Sequence, residues 1–153
     1  MVFPNSKQSQ HCTDKNLTNY INTHAFTVRP SDCDPLGHMN VARYLDGCSD
    51  AGFTLQAAWS LTPEDIRDGR QLAFVVVNAN SNFIQELRIG EHVQIRSELI
   101  KIGTKSCTVC HHFFLGEVEV FNSTFTLVLM NLKTRQAEAI PDDLRAALLA
   151  AHA

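Results

Sequence analysis

The stretch DCDPLGHMN, residues 32–40, gathers carboxylate, imidazole and carboxamide side chains around a proline and a glycine. A carboxylate in such a setting can take a proton from water or attack an electrophilic carbon itself. The stretch stands just before a run with helical periodicity, so the unpaired amides of a first helical turn would face the same space with partial positive charge. That combination suits a carbonyl. Asp34 would act as base or nucleophile, His38 and Asn40 would orient a water or the acid, and the helix-start amides would polarise the oxygen. The same residues admit a structural reading, in which Asp32 or Asp34 caps the helix and Pro35-Leu36-Gly37 is a plain turn.

The elements that must hold these residues follow from the apolar pattern. Val41, Leu45, Cys48, Gly52, Leu55 and Trp59 recur at spacings of four and three, one stripe of an α-helix of about 20 residues. Tyr44, Ala51 and Ala58 widen the stripe, so the helix is expected to be largely buried. Gly47 and Gly52 weaken a helix relative to alanine, a cost that close approach of a neighbouring backbone would explain. A strand over 24–29 enters the motif, and further strands are expected over 72–87, 91–103, 104–116 and 117–132. Residues 134–141 read as a turn and exit, followed by a short C-terminal helix after Pro141.

One buried helix followed by long strands predicts an α+β fold in which a curved antiparallel sheet wraps the helix. Strand 117–132 is apolar on both sides in places, which predicts a homodimer or homotetramer. The length of 153 residues suits a single domain over 22–153, preceded by a polar and poorly ordered lead-in over 1–21.

Composition excludes several classes. A formal charge of −3 with scattered basic residues argues against nucleic acid as a partner. The first twenty or so residues lack an apolar core, so neither a signal peptide nor a membrane anchor is expected and the cytosol is the default compartment. Five cysteines at irregular spacing fit reduced thiols. CTVCHH, residues 107–112, contains the C-x-x-C-H pattern of haem attachment, but on a strand Cys107 and Cys110 point to opposite faces, as do His111 and His112. No metal or cofactor is expected.

DCDPLGHMNVARYL resembles the helix-entry motif of the hotdog-fold acyl-CoA thioesterases, the group that includes 4-hydroxybenzoyl-CoA thioesterase. The resemblance continues through VQIRSELIKIGTKS and TLVLMNLKTRQAEAIP and covers roughly residues 22–145. It implies the hotdog fold, a long central helix wrapped by an antiparallel sheet, assembled as dimers or tetramers, and hydrolysis of an acyl-CoA substrate. It assigns the base or nucleophile to Asp34, with Gly37 allowing close approach of the thioester and His38 and Asn40 orienting the reactants. The carbonyl would be held at the amides of Asn40 and Val41, and Tyr44 matches the family's tyrosine.

There are departures from the family pattern. The glutamate that many members carry after the tyrosine is absent, leaving Asp46 or Asp50, of which Asp50 is favoured. Glu86 resembles a catalytic glutamate of a branch that hydrolyses small cationic acyl-CoA esters. His38 stands where the 4-hydroxybenzoyl-CoA enzyme has an apolar residue, which argues against that substrate. Arg43, Lys101 and Lys105 are candidates for the CoA phosphates. Phe53, Leu55 and Trp59 are candidates for the acyl pocket, Trp59 reading equally as core. Two rivals stand beside the thioesterase reading, a hydratase or dehydratase on the same fold and a non-catalytic acyl-CoA-binding module.

Overall fold

A computed structural model describes residues 20–153. The expected lead-in falls outside them except for its last two residues, and of these Ile21 already belongs to a strand. The elements run β1 (Ile21–Thr27), α1 (Val41–Ala58), α2 (Pro63–Arg67), β2 (Leu72–Phe83), β3 (His92–Ile102), β4 (Ser106–Leu115), β5 (Val118–Asn131), β6 (Gln136–Ala137) and α3 (Asp142–Ala151). The strands form one antiparallel sheet in the order β1-β3-β4-β5-β2, with β6 beside β5. Sheet and α1 share one core, so the predicted α+β hotdog architecture is the one observed.

Alternation decides which strand residues meet the helix. Phe113 of β4 and Phe121 of β5 stand opposite one another, and both ring systems touch Tyr44 of α1. Gly47, one turn on, is where helix and sheet come closest: a Cβ there would lie 3.0 Å from Phe113 Cζ and 3.1 Å from Ile95 Cδ1. The expectation of close approach therefore holds at Gly47. It fails at Gly52, where a Cβ would meet nothing within 4 Å.

Three boundaries moved for local reasons. The first strand begins at Ile21 because Ile21 and Asn22 already pair with Ser97 and Arg96, and it stops at Thr27 because Val28 turns to bond Glu91 and Gly90. The strand expected to reach residue 87 ends at Phe83, where the amides of Ile84 and Gln85 both turn to the Val120 carbonyl. α2 was not anticipated, although Thr62-x-x-Asp65 spells its capping box, with the threonine hydroxyl accepting from Asp65 N–H.

His111 and His112 do point to opposite faces, but neither is half-exposed as a strand surface would have it: both are buried. His112 lies between Glu119 and Glu98, with Nδ1 2.6 Å and Nε2 3.3 Å from their carboxylates. His111 lies on the helix side, and burial, followed by the neighbouring His112, pushes its pKa down to about 4. The unfolded chain therefore binds a proton between roughly pH 6.5 and 4 that the folded chain refuses. Stability from this residue is complete above 6.5 and lost as pH falls towards 4. Urea unfolding is expected to show a loss of about 2 kcal/mol between pH 7 and pH 5 that His111→Gln removes. An unchanged pH slope in that variant would refute the assignment. The described cysteines, Cys33, Cys48, Cys107 and Cys110, are free thiols.

Candidate active site

The loop between β1 and α1 is tied at several points. Asp34 N–H donates to the His38 carbonyl, Gly37 N–H to the Asp34 carbonyl, and Asn40 N–H to the Asp32 carbonyl at 2.8 Å. Met39 N–H reaches across to the Leu87 carbonyl at 2.7 Å, fastening the loop to the segment after β2. Gly37 has φ +86°, a conformation that L side chains rarely adopt, which is why glycine stands at the crest of the turn. Leu36 beside it is exposed.

The cap question is settled by side-chain placement. Asn40 is the N-cap of α1: its Oδ1 accepts from Ala42 N–H at 3.0 Å. Its Nδ2 faces the other way and donates to Asp34 Oδ2 at 3.1 Å, while Leu36 N–H donates to Asp34 Oδ1 at 2.9 Å. Asp34 is thus not a cap. It is a half-exposed carboxylate aimed by two donors in front of the helix start. Asp32 is not the cap either. Its buried carboxyl is held by Arg29, whose side chain and backbone N–H both donate to it and keep it well below the usual carboxylate range.

One part of the expected oxyanion site is overturned. The Asn40 amide was to share the carbonyl with Val41, but it is already bonded to Asp32. The cap likewise takes Ala42 N–H, and Arg43 N–H goes to the Asn40 carbonyl. This leaves the Val41 amide as the helix-start donor that these bonds do not use. His38 joins the loop through its backbone, and its ring Nδ1 lies 3.4 Å from the Met39 carbonyl.

Other expected site residues are placed differently. Glu86 precedes Leu87 and so sits at the motif's end of the fold, but Arg88 forms an ion pair with it. That guanidinium holds the carboxyl below its ordinary range. Sequence reading missed Arg88, although its position two residues after Glu86 was the available signal. Tyr44 is buried, its ring fixed against Phe83, Phe113 and Phe121. Burial raises its hydroxyl to about 12, with a bond to the Leu87 backbone opposing the rise. Tyr44 therefore packs α1 onto the sheet.

Trp59 and Leu55 are both core, not pocket wall. Trp59 lies at the far end of α1, edge-on to Phe74 and donating its indole N–H to His152 beyond α3. Lys101 and Lys105 lie at the wrong end of the sheet within one chain. β3 starts beside the end of β1 and runs away from the motif for roughly 30 Å. Lys105 is also bonded to the Ala137 carbonyl. Of the three expected cations, Arg43 alone stays near the motif, paired with Asp46. Asp50 faces β1, with Oδ2 3.6 Å from His24 Nε2. It lines a groove of about 460 Å³ with His24, Phe26, Arg29, Arg43 and Asp46, on the β1 flank of α1. Phe53 is 56% exposed, so it is free to meet another molecule.

Replacing Asn40 separates its two tasks. Asn40→Ala is expected to cost about 1 kcal/mol of stability through the lost cap, and also to loosen Asp34. Asn40→Asp retains the cap but sets a second carboxylate against Asp34. If Asp34 matters only structurally, activity will track stability in both variants. If its aim matters, Asn40→Asp will lose activity while unfolding near the wild-type midpoint.

A family model described as "Thioesterase-like superfamily" matches residues 28–148. The chain is 32% identical over 125 residues to the long-chain acyl-CoA thioesterase FadM of Escherichia coli strain K12, covering 77% of this chain and 89% of that protein. It is 25% identical over 122 residues to the 1,4-dihydroxy-2-naphthoyl-CoA hydrolase of Nostoc punctiforme, covering 80% of this chain and 82% of that protein. Among solved structures, YbaW, a probable thioesterase from Escherichia coli, superposes with a TM-score of 0.73 and 26% identity, over 87% of this chain and 100% of that chain.

Proposed function

The chain belongs to the thioesterase-like superfamily, and from that premise we propose that it hydrolyses an acyl-CoA thioester to the free acid and CoA, with Asp34 as the reacting carboxylate. The observation that carries this reading is the pair of donors, Asn40 Nδ2 and Leu36 N–H, that aim Asp34 at the start of α1. The substrate carbonyl lies against the Val41 amide, whose partial positive charge meets the developing oxyanion. Asp34 takes a proton from the attacking water, or attacks the carbonyl carbon itself, and CoA departs as a thiolate. The hydratase and silent-binder readings are set aside because the matched relatives are thioester hydrolases by name.

Assembly belongs to the same proposal. β2 is an edge strand, with Val76 and Val77 about half exposed, and Val41, Leu45 and Phe53 are exposed on α1. An unpaired edge of this length, apolar at Val76 and Val77, invites a second strand, and pairing two β2 strands would give a homodimer with one continuous sheet. The acyl group then lies between α1 of one protomer and β2 of the next. Among the described residues no helix is long and apolar enough to cross a membrane.

The test is thiol release from short, long, aromatic and cationic acyl-CoA esters. Turnover of at least one ester supports the reading, and none with a folded protein overturns it. Val77→Lys is expected to shift sedimentation towards monomer and to lower activity by the same fraction. Full activity in a monomer would refute the shared site.

A further inference from the structure

One level of the sheet is polar where the levels on either side are apolar. Ser97, His111, Ser123 and Ser81 stand opposite one another on β3, β4, β5 and β2, on the face that meets α1, and Thr23 at the β1 bulge extends the row. Thr23, Ser97, His111 and Ser123 are buried, and Ser81 on the edge strand is half-buried. The next level carries Phe113, Phe121 and Phe83; the level beyond carries Val109, Phe125 and Ala79.

The hydrogen bonds of this row have a direction. Thr23 Oγ1 lies 3.2 Å from the Ile95 carbonyl, and a carbonyl only accepts, so the threonine proton points there. The 2.8 Å contact between Thr23 and Ser97 then takes its proton from Ser97. The 2.7 Å contact between Ser97 Oγ and His111 Nδ1 takes its proton from the ring. On the other side, Ser123 donates to the Asn80 carbonyl at 3.3 Å, and Ser81 donates to Ser123 at 2.8 Å. Every hydroxyl proton in the row is thereby engaged, and His111 holds its proton on Nδ1. Among the described residues, His111 Nε2 is the buried side-chain polar atom without a hydrogen-bond partner. It is left as a bare lone pair, and an unsatisfied buried acceptor is destabilising.

We propose that His111 Nε2 is a built acceptor site for an O–H donor, reached from the α1–β2 side along Ser81 and Ser123, and that the donor is a hydroxyl on the acyl group or an internal water. The approach is open where it starts. Val76 and Ala79 are exposed although they lie on the helix-facing side of β2, and space is free beside Gly52 on α1. The low proton affinity of the ring keeps the lone pair available at neutral pH. The acyl-hydroxyl source rests on the thioesterase reading above; the acceptor itself does not.

The experiment has two arms. Nitrogen-15 NMR of the histidine-labelled wild-type protein reads the tautomer without any mutation. A protonated Nδ1 with an unprotonated, hydrogen-bonded Nε2 supports the site. The opposite tautomer, or an Nε2 free of any hydrogen bond, overturns it. Thiol release is then compared for 4-hydroxybenzoyl-CoA against benzoyl-CoA and for 3-hydroxybutyryl-CoA against butyryl-CoA, with wild type and His111→Phe. A preference of about 10-fold or more in kcat/KM for a hydroxylated ester, flattened in the variant, assigns the donor to the acyl group. Equal rates in both proteins, with the expected tautomer and a bonded Nε2, assign it to water. If wild type hydrolyses none of the esters, the thioesterase reading fails for this substrate class and the NMR arm still decides the acceptor site. Should His111→Phe fail to fold, His111→Gln replaces it.

Discussion

Asp34→Asn is expected to lower kcat on the best acyl-CoA ester by about 10²–10⁴-fold while leaving the unfolding midpoint almost unmoved. The asparagine keeps the bond from Leu36 N–H through its one carbonyl oxygen but turns an NH2 towards Asn40 Nδ2, so the loop loses one of the two bonds that Asp34 makes. What disappears is the ability to accept a proton from water or to form an acyl bond. The cap of α1 is unaffected because Asn40 supplies it. Thiol release and urea denaturation on the same preparation read the two effects separately. A fall in activity below about 3-fold would remove Asp34 from the chemistry. A fall matched by unfolding would reduce it to a structural residue.

Phe113→Ala is expected to destabilise the protein by about 3–5 kcal/mol, a large part of the 5–15 kcal/mol that holds a domain of this kind together. Phe113 is fully buried, and its ring meets Phe26, Tyr44 and Phe121 as well as the close approach at Gly47. Removing the ring opens a cavity where helix and sheet are nearest. The glycine has no side chain with which to fill it. Urea unfolding measures the loss, and a value below about 1 kcal/mol would mean that the helix settles into the gap. Surviving protein should also lose activity, because α1, whose start carries the Val41 amide, rests on that ring through Tyr44.

The helix was legible from its 3.6-residue period, but its buried face is rotated from the expected stripe: Tyr44, Cys48, Ala51 and Leu55 are buried, whereas Val41 and Leu45 are exposed, so the helix is not largely buried. Asp34 was legible as a candidate because acid, glycine, histidine and carboxamide stand together before the helical period, and the structure adds that two donors hold its carboxylate in front of α1. Which of the three polar residues caps the helix was not legible. Asp32, Asp34 and Asn40 are all good cap formers, and the choice is made by Arg29 capturing Asp32 and by Asn40 turning its oxygen inward. Trp59 was ambiguous because its indole partner, His152, lies 93 residues away. That Lys101 and Lys105 lie far from the motif within one chain was not legible, because position in sequence says nothing about which end of an antiparallel sheet a turn occupies. The ion pair of Glu86 was missed because the acid was considered without the arginine two residues on.

The bonds that fasten residues 32–40 have a thermodynamic meaning beyond geometry. A loop left loose until substrate arrived would have to surrender its backbone freedom in every catalytic cycle, at roughly 1–2 kcal/mol per residue. Here Cys33 pairs with Met39 across the turn, and the Leu87 carbonyl anchors the same strand of the loop from outside. The ordering is met once, at folding, and is not repeated at turnover. Such a loop is no lid. Its rate should be insensitive to solvent viscosity as far as the loop is concerned, and discrimination between acyl groups must come from the walls of the pocket rather than from a closing motion.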